Sequence, residues 1–130
     1  MEVLHVFVPG PQWLARPWTL LGLLPLGAGM ALHAWASRTF IRAGTTIDPE
    51  GRAAVLVRAG PYARTRNPMY LAGAPILLGA AALLGTTSPL AILLVYGVGA
   101  SRWVSREEST LRERFGAEWD SYRGTVCRWL

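Results

Sequence analysis

Three apolar runs dominate this chain, at about residues 17–36, 69–84 and 89–104, and each is almost free of charge. Crossing a bilayer takes roughly 17–25 helical residues. Inside the bilayer a chain must satisfy its backbone hydrogen bonds without water, which only helices and closed barrels do. Three such runs in 130 residues leave little chain for any other architecture. The expected fold is therefore an all-α integral membrane bundle. It forms a single domain over residues 1–130, with about three transmembrane helices.

Composition supports this. Apolar residues make up 52% of the chain and charged residues 16%, against about a quarter charged in soluble domains. The net charge is +5, and all 13 basic residues are Arg. A basic balance suits either nucleic acid or an anionic membrane surface. The apolar runs decide for the membrane, so no nucleic-acid partner is expected. Cys127 is the only cysteine, which rules out an internal disulfide, and His5 and His33 lie far from it in sequence. No metal-ligand set is expected. Residues 1–10 lack a basic n-region and read as an interfacial or re-entrant stretch rather than a cleaved signal peptide.

Arginine placement predicts orientation. Six Arg fall in residues 37–67 and six more from Arg102 to the end, whereas the opposite side holds only Arg16. The positive-inside rule then places the long loop and the tail in the cytoplasm and the N-terminus outside. Trp13 and Trp18 fall at the outer boundary, and Trp35 and Trp103 at the inner one, as an aromatic belt would. Pro17 suits a first helical turn, Pro25 predicts a kink, and Gly27, Gly29 and Ala31 invite close helix packing. Residues 85–88 form a short turn, so the second and third runs make an antiparallel hairpin. Residues about 106–123 read as an amphipathic helix with Leu111, Phe115, Trp119 and Tyr122 on one stripe, and Gly116 is a potential break. That helix would lie on the surface or fold back as a lid.

Two features carry chemistry. The connector 60–70 reads Gly-Pro-Tyr-Ala-Arg-Thr-Arg-Asn-Pro-Met-Tyr, and Glu107-Glu108 follows the third run. Read locally, Asn67 caps a helix that begins at Pro68, and the Glu pair is a solvated helix start. Read together, they belong to one site. Each hairpin leg rises roughly 26 Å at 1.5 Å per residue, the two legs cancel, and Glu107 returns to the level of residues 66–70. An acidic pair then meets a basic, aromatic turn at one membrane surface. Tyrosines can pack on a ring or a cation, a Glu can accept from hydroxyl or amino groups, and an Arg can pair with a carboxylate. S-adenosylmethionine has all of these parts, as do other charged nucleotides in varying measure. Arg102 and Arg106 border the Glu pair and suit either membrane-edge anchoring or an anionic substrate group. His33, near the inner end of the first run, reads as a solvated or hydrogen-bonded side chain, and Cys127 as a passive one.

Leu56-Val57, Gly60-Pro61-Tyr62, Arg66-Asn67-Pro68-Met69-Tyr70, and Glu107-Glu108 followed by Leu111, Phe115-Gly116, Trp119, Tyr122-Arg123 and Val126 form a spaced pattern. It resembles the signature of the isoprenylcysteine carboxyl methyltransferase and phospholipid methyltransferase superfamily, over about two-thirds of the chain. The resemblance implies an integral membrane methyltransferase that uses S-adenosylmethionine on a lipid or lipophilic small-molecule substrate. By analogy, the backbone at Leu56 and Val57, with Tyr62, Asn67, Pro68, Tyr70 and Glu107, binds the cofactor and Glu108 supports it. Gly27 and Gly29 sit where phospholipid methyltransferases have a Gly-x-Gly element. The chain departs from the pattern in two ways. Asn67 replaces the His common in eukaryotic members, and an amide cannot titrate near neutral pH. Isoprenylcysteine enzymes also have more spans, and a second copy of the chain could replace the missing helices in a homodimer. No general base is assigned. Two alternatives are a membrane reductase of related helical fold, which the Glu pair disfavours beside a phosphorylated dinucleotide, and a non-catalytic membrane scaffold.

Overall fold

A computed structural model describes residues 14–44 and 55–130, and among these there are helices and no strand. A 3-10 turn, Trp18–Gly22, leads into α1 (Leu23–Arg42). After the connector and a second 3-10 turn, Gly60–Ala63, come α2 (Pro68–Leu84), α3 (Ser88–Phe115) and α4 (Ala117–Thr125). The expectations for residues 1–10, Trp13 and Arg52 fall outside the described residues.

The first run differs from its expected form at both ends. Pro25 lies in the opening turn of α1, because the residues before it are 3-10. A missing N–H costs nothing there, so the proline marks the start of the α-helix rather than a kink within it. At the other end α1 runs on to Arg42, and Arg38 and Arg42 ride on the helix instead of a loop. The helical proline that the apolar pattern concealed is Pro75, inside α2.

The hairpin forms as expected. Gly85 takes φ +67, a left-handed cap that returns its N–H to Ala81 O (3.0 Å) and Ala82 O (3.1 Å). Thr86 and Ser88 join through their hydroxyls (3.1 Å), and Pro89 enters the first turn of α3. α3 then continues unbroken for 28 residues, about 42 Å at 1.5 Å per residue. This exceeds a hydrocarbon core of about 30 Å. The expected separate tail helix from 106 is therefore, as far as Phe115, the last third of α3. The break comes at Gly116, φ +53, a backbone conformation that suits glycine.

α2 lies between α1 and α3, packing on α1 along its length and on α3 at its other side. Small residues make the contacts. A side chain on Gly22 would strike the Gly79 carbonyl, and one on Gly79 would meet Leu26 N at 2.6 Å. One on Gly29 would meet Ala72 O at 2.8 Å, whereas Gly27 faces open space. Of the two glycines expected to pack, only Gly29 does. Within α1, α2 and α3 the buried positions are mostly Ala and Gly, while Leu24 (72% exposed), Leu94 (74%) and Val95 (73%) point outward. Large apolar side chains outside and small ones inside are what helices do when the solvent is lipid. Trp18, Trp35 and Trp103 are also exposed. Among the described residues one helix, Trp18–Arg42, is long and apolar enough to cross a membrane; α2 is apolar but has 17 residues.

Candidate functional site

The hairpin delivers Glu107 to the first turn of α2. Tyr70 Oη donates to Glu107 Oε1 at 3.0 Å, and Trp103 Nε1, one turn earlier on α3, donates to the same oxygen at 2.9 Å. Two neutral donors thus fix the carboxylate, and among the described residues Oε2 takes no hydrogen bond. Tyr96 braces this corner, donating to Tyr70 O at 2.8 Å where Gly73 leaves room for its phenol.

Glu108 points about 100° further round α3 and is buried at 8% exposure. Its Oε2 accepts from Arg128 Nη2 at 2.6 Å, and its Oε1 lies 3.1 Å from Arg66 Nη1. Close as that second pair is, its geometry falls short of a hydrogen bond, so Arg66 Nε, Arg66 Nη1 and Glu108 Oε1 are buried without one. The Arg66 guanidinium also lies over the Trp119 ring, 5.6 Å from its centroid. The Glu pair, which read locally was a solvated helix start, is thus two different groups, one half-buried and one inside an ion cluster.

The connector and α4 close over each other. Leu56 packs with Trp119 and Tyr122; Val57 packs with Ala36 and Tyr62. The side chains of Leu56 and Val57 are thus committed to packing. Tyr62 is 6% exposed, its ring 5.3 Å from Phe40, and its carbonyl accepts from Tyr122 Oη at 2.7 Å. Burial, followed by the nearness of Tyr122, Glu107 and Tyr70, raises the Tyr62 hydroxyl well above the usual tyrosine range. Burial pushes Tyr122 up to about 12, although Arg66 and Arg58 pull the other way. The α4 stripe therefore folds back as a cover on the connector. At its edge the exposed Arg58–Glu118 pair (2.8 Å) adds little.

Asn67 does not cap α2 with its side chain. Its carbonyl accepts the first helical bond, from Leu71 N at 2.9 Å, while its Nδ2 donates to Arg128 O at 3.1 Å. Thr65 Oγ1 donates to the same carbonyl (3.2 Å), and Arg66 N donates to Cys127 O (3.0 Å) within a parallel bridge between Thr65 and Cys127. Local propensity favoured the cap, but the C-terminal segment offers the amide a part-buried carbonyl instead. Pro68 is fully buried beneath this join.

Arg102 and Arg106 stay apart from this cluster, both exposed on the outer face of α3. Arg102 ends a groove of about 400 Å³ lined otherwise by Leu94, Val95, Val98 and Gly99. Sequence reasoning missed Arg128 as a partner of Glu108 and Tyr96 as a brace, since neither lies near its partner in sequence. Trp103 was readable, because its four-residue spacing from Glu107 puts both on one helix face.

A family model described as phospholipid methyltransferase matches residues 18–118. It spans Leu56 to Glu108 and stops short of Trp119, Tyr122 and Arg128. No curated protein and no solved structure matches the chain.

Proposed function

The chain belongs to the phospholipid methyltransferase family, and on that premise we propose that it is an integral membrane enzyme transferring a methyl group from S-adenosylmethionine to a lipid or other lipophilic acceptor. The observation that carries this reading is the Tyr70–Glu107 hydrogen bond. It joins the two motifs, the connector and the Glu pair, into one corner with a free carboxylate oxygen.

The donor set fits the cofactor. Glu107 Oε2 is available to accept from ribose hydroxyls or an ammonium, while Oε1 is held by Tyr70 and Trp103 so that the carboxylate keeps its orientation. The backbone at Leu56 and Val57 offers polar groups beside packed side chains. Tyr62, Pro68, Trp119 and Tyr122, all buried, keep water from this side. S-adenosylmethionine, when bound, supplies an electrophilic methyl on a sulfonium. Dispersing that charge during transfer is easier where water is excluded, and alignment of donor and acceptor supplies much of the rest. Asn67, with its amide on the Arg128 carbonyl, contributes to the wall and no titrating proton.

The acceptor enters from the lipid. Arg102, at the end of the apolar groove on α3, and Arg106 one turn on, are placed for an anionic headgroup at the cytoplasmic surface. The orientation supporting this has the N-terminus outside and the connector and α4 in the cytoplasm, from the twelve-to-one Arg asymmetry. The reading is tested by binding of labelled S-adenosylmethionine to purified protein in detergent. Wild type binds, and Glu107→Gln weakens binding by roughly 1–3 kcal/mol, the value of one charge-assisted hydrogen bond. A folded Glu107→Gln protein with unchanged affinity contradicts the site.

A further inference from the structure

The ion cluster behind Glu107 is unbalanced. Arg66 and Arg128 share one carboxylate, Glu108, so the cluster carries one net positive charge, while the preceding residue, Glu107, has only neutral hydrogen-bond partners. The Arg66 side chain is 9% exposed, yet its Nε and Nη1 make no hydrogen bond. Buried donors left without a hydrogen bond are costly, and charged ones more so, so a cluster built this way favours an added anion. The Trp119 face covers Arg66 from one side and can offer no acceptor there. Arg128, with 37% of its side chain exposed, gives the cluster an edge that a ligand can reach.

The C-terminal segment is built to hold that edge in place. The Arg128 carbonyl takes hydrogen bonds from both Thr65 and Asn67, and the preceding carbonyl takes one from Arg66 N. Three bonds to consecutive connector residues anchor the backbone from which the Arg128 guanidinium reaches Glu108. A guanidinium held this way presents its fork to a planar carboxylate. Glu107, the preceding residue on α3, has a free oxygen that suits an ammonium. A positive cluster and a carboxylate on successive helix residues match a zwitterion.

Resting on the methyl-donor reading above, we propose that Arg66 and Arg128, bridged by Glu108, form the receptor for the carboxylate at the amino-acid end of S-adenosylmethionine, with Arg128 carried into the site by the C-terminal segment. The receptor thus includes a residue outside the region that the family model matches. It also explains why the Asn67 amide is spent on a backbone carbonyl, since that bond fixes Arg128.

The test compares S-adenosylmethionine with its decarboxylated analogue, which keeps adenine, ribose, sulfonium and ammonium. Affinities are measured on the full chain in detergent for wild type, Arg128→Gln and Arg128→Lys, with thermal unfolding as the folding control. Wild type prefers the carboxylate-bearing donor by about tenfold or more, the value of one charge-assisted hydrogen bond. Arg128→Gln loses most of that preference while its affinity for the decarboxylated donor stays at the wild-type level, and Arg128→Lys retains part of it. The wild-type comparison needs no variant to fold. Equal wild-type affinity for the two donors overturns the proposal, as does an Arg128→Gln protein that binds both donors equally more weakly, which marks a clamp only. Wild type that binds neither donor refutes the methyl-donor reading itself, and the receptor falls with it.

Discussion

Glu108→Gln removes one negative charge and almost no volume. It leaves two guanidiniums facing a neutral amide, and the two are affected differently. Arg128, 37% exposed, swings toward water at small cost. Arg66, 9% exposed, cannot, and keeps only the Trp119 face. Breaking a buried pair by removing one partner costs about 3–5 kcal/mol. With one arginine free to relax and a cation–π contact retained, the lower end applies, about 3 kcal/mol. At roughly 4 °C per kcal/mol for a domain of this size, the unfolding midpoint falls by about 10 °C. Thermal unfolding in detergent, followed by circular dichroism, reads this directly. Arg66→Met combined with Glu108→Leu recovers most of the loss, because replacing a buried pair by apolar groups is often neutral. A Glu108→Gln protein melting within about 2 °C of wild type would refute the reasoning, since Arg66 would then have no need of its partner.

Gly79→Ala pushes a methyl onto Leu26 N and the Gly22 carbonyl and destabilises by about 1–3 kcal/mol, whereas Gly27→Ala, facing open space, is neutral or slightly stabilising; equal midpoints for the two deny the α1–α2 contact. Unfolded tyrosines ionise near pH 10, while burial holds folded Tyr122 at about 12 and Tyr62 higher. The unfolded chain therefore releases protons first, and stability present below pH 10 is lost as pH rises from about 10 to 12. Melting scans across that window show the fall, Tyr122→Phe flattens part of it, and a level profile contradicts the buried placement of both hydroxyls. Cysteines placed at Thr46 and Thr87 in a Cys127→Ser background report topology: membrane-impermeant reagent reaches Thr46 from the cytoplasm and Thr87 from outside, and the reverse pattern overturns the orientation.

What the sequence made legible was whatever depends on helix rise and helix period. The meeting of Glu107 with Tyr70 follows from two equal legs, and the α4 stripe follows from the spacing of Trp119 and Tyr122. Gly85 and Gly116 were readable as turn and break, because both adopt positive φ. What was hidden depends on distant chain. Nothing local shows that the Asn67 amide is taken by a carbonyl 61 residues on. Nor does a local pattern separate Glu107 from Glu108, which face different partners because one residue is a 100° step round the helix. The tail was expected as a helix of its own from about 106, but no residue between Pro89 and Gly116 stops the backbone. Hydropathy falls there, but the backbone continues.

The central claim is methyl transfer onto a lipophilic acceptor at the Tyr70–Glu107 corner. Its most direct test incubates the purified protein with S-adenosylmethionine labelled in the methyl group and a membrane lipid extract, then counts label in the organic phase. The account predicts label in that phase with wild type and a loss of at least about tenfold with Glu107→Gln, one charge-assisted hydrogen bond in transition-state terms. Label that stays wholly in the aqueous phase with wild type, or transfer equally fast with folded Glu107→Gln protein, would contradict it.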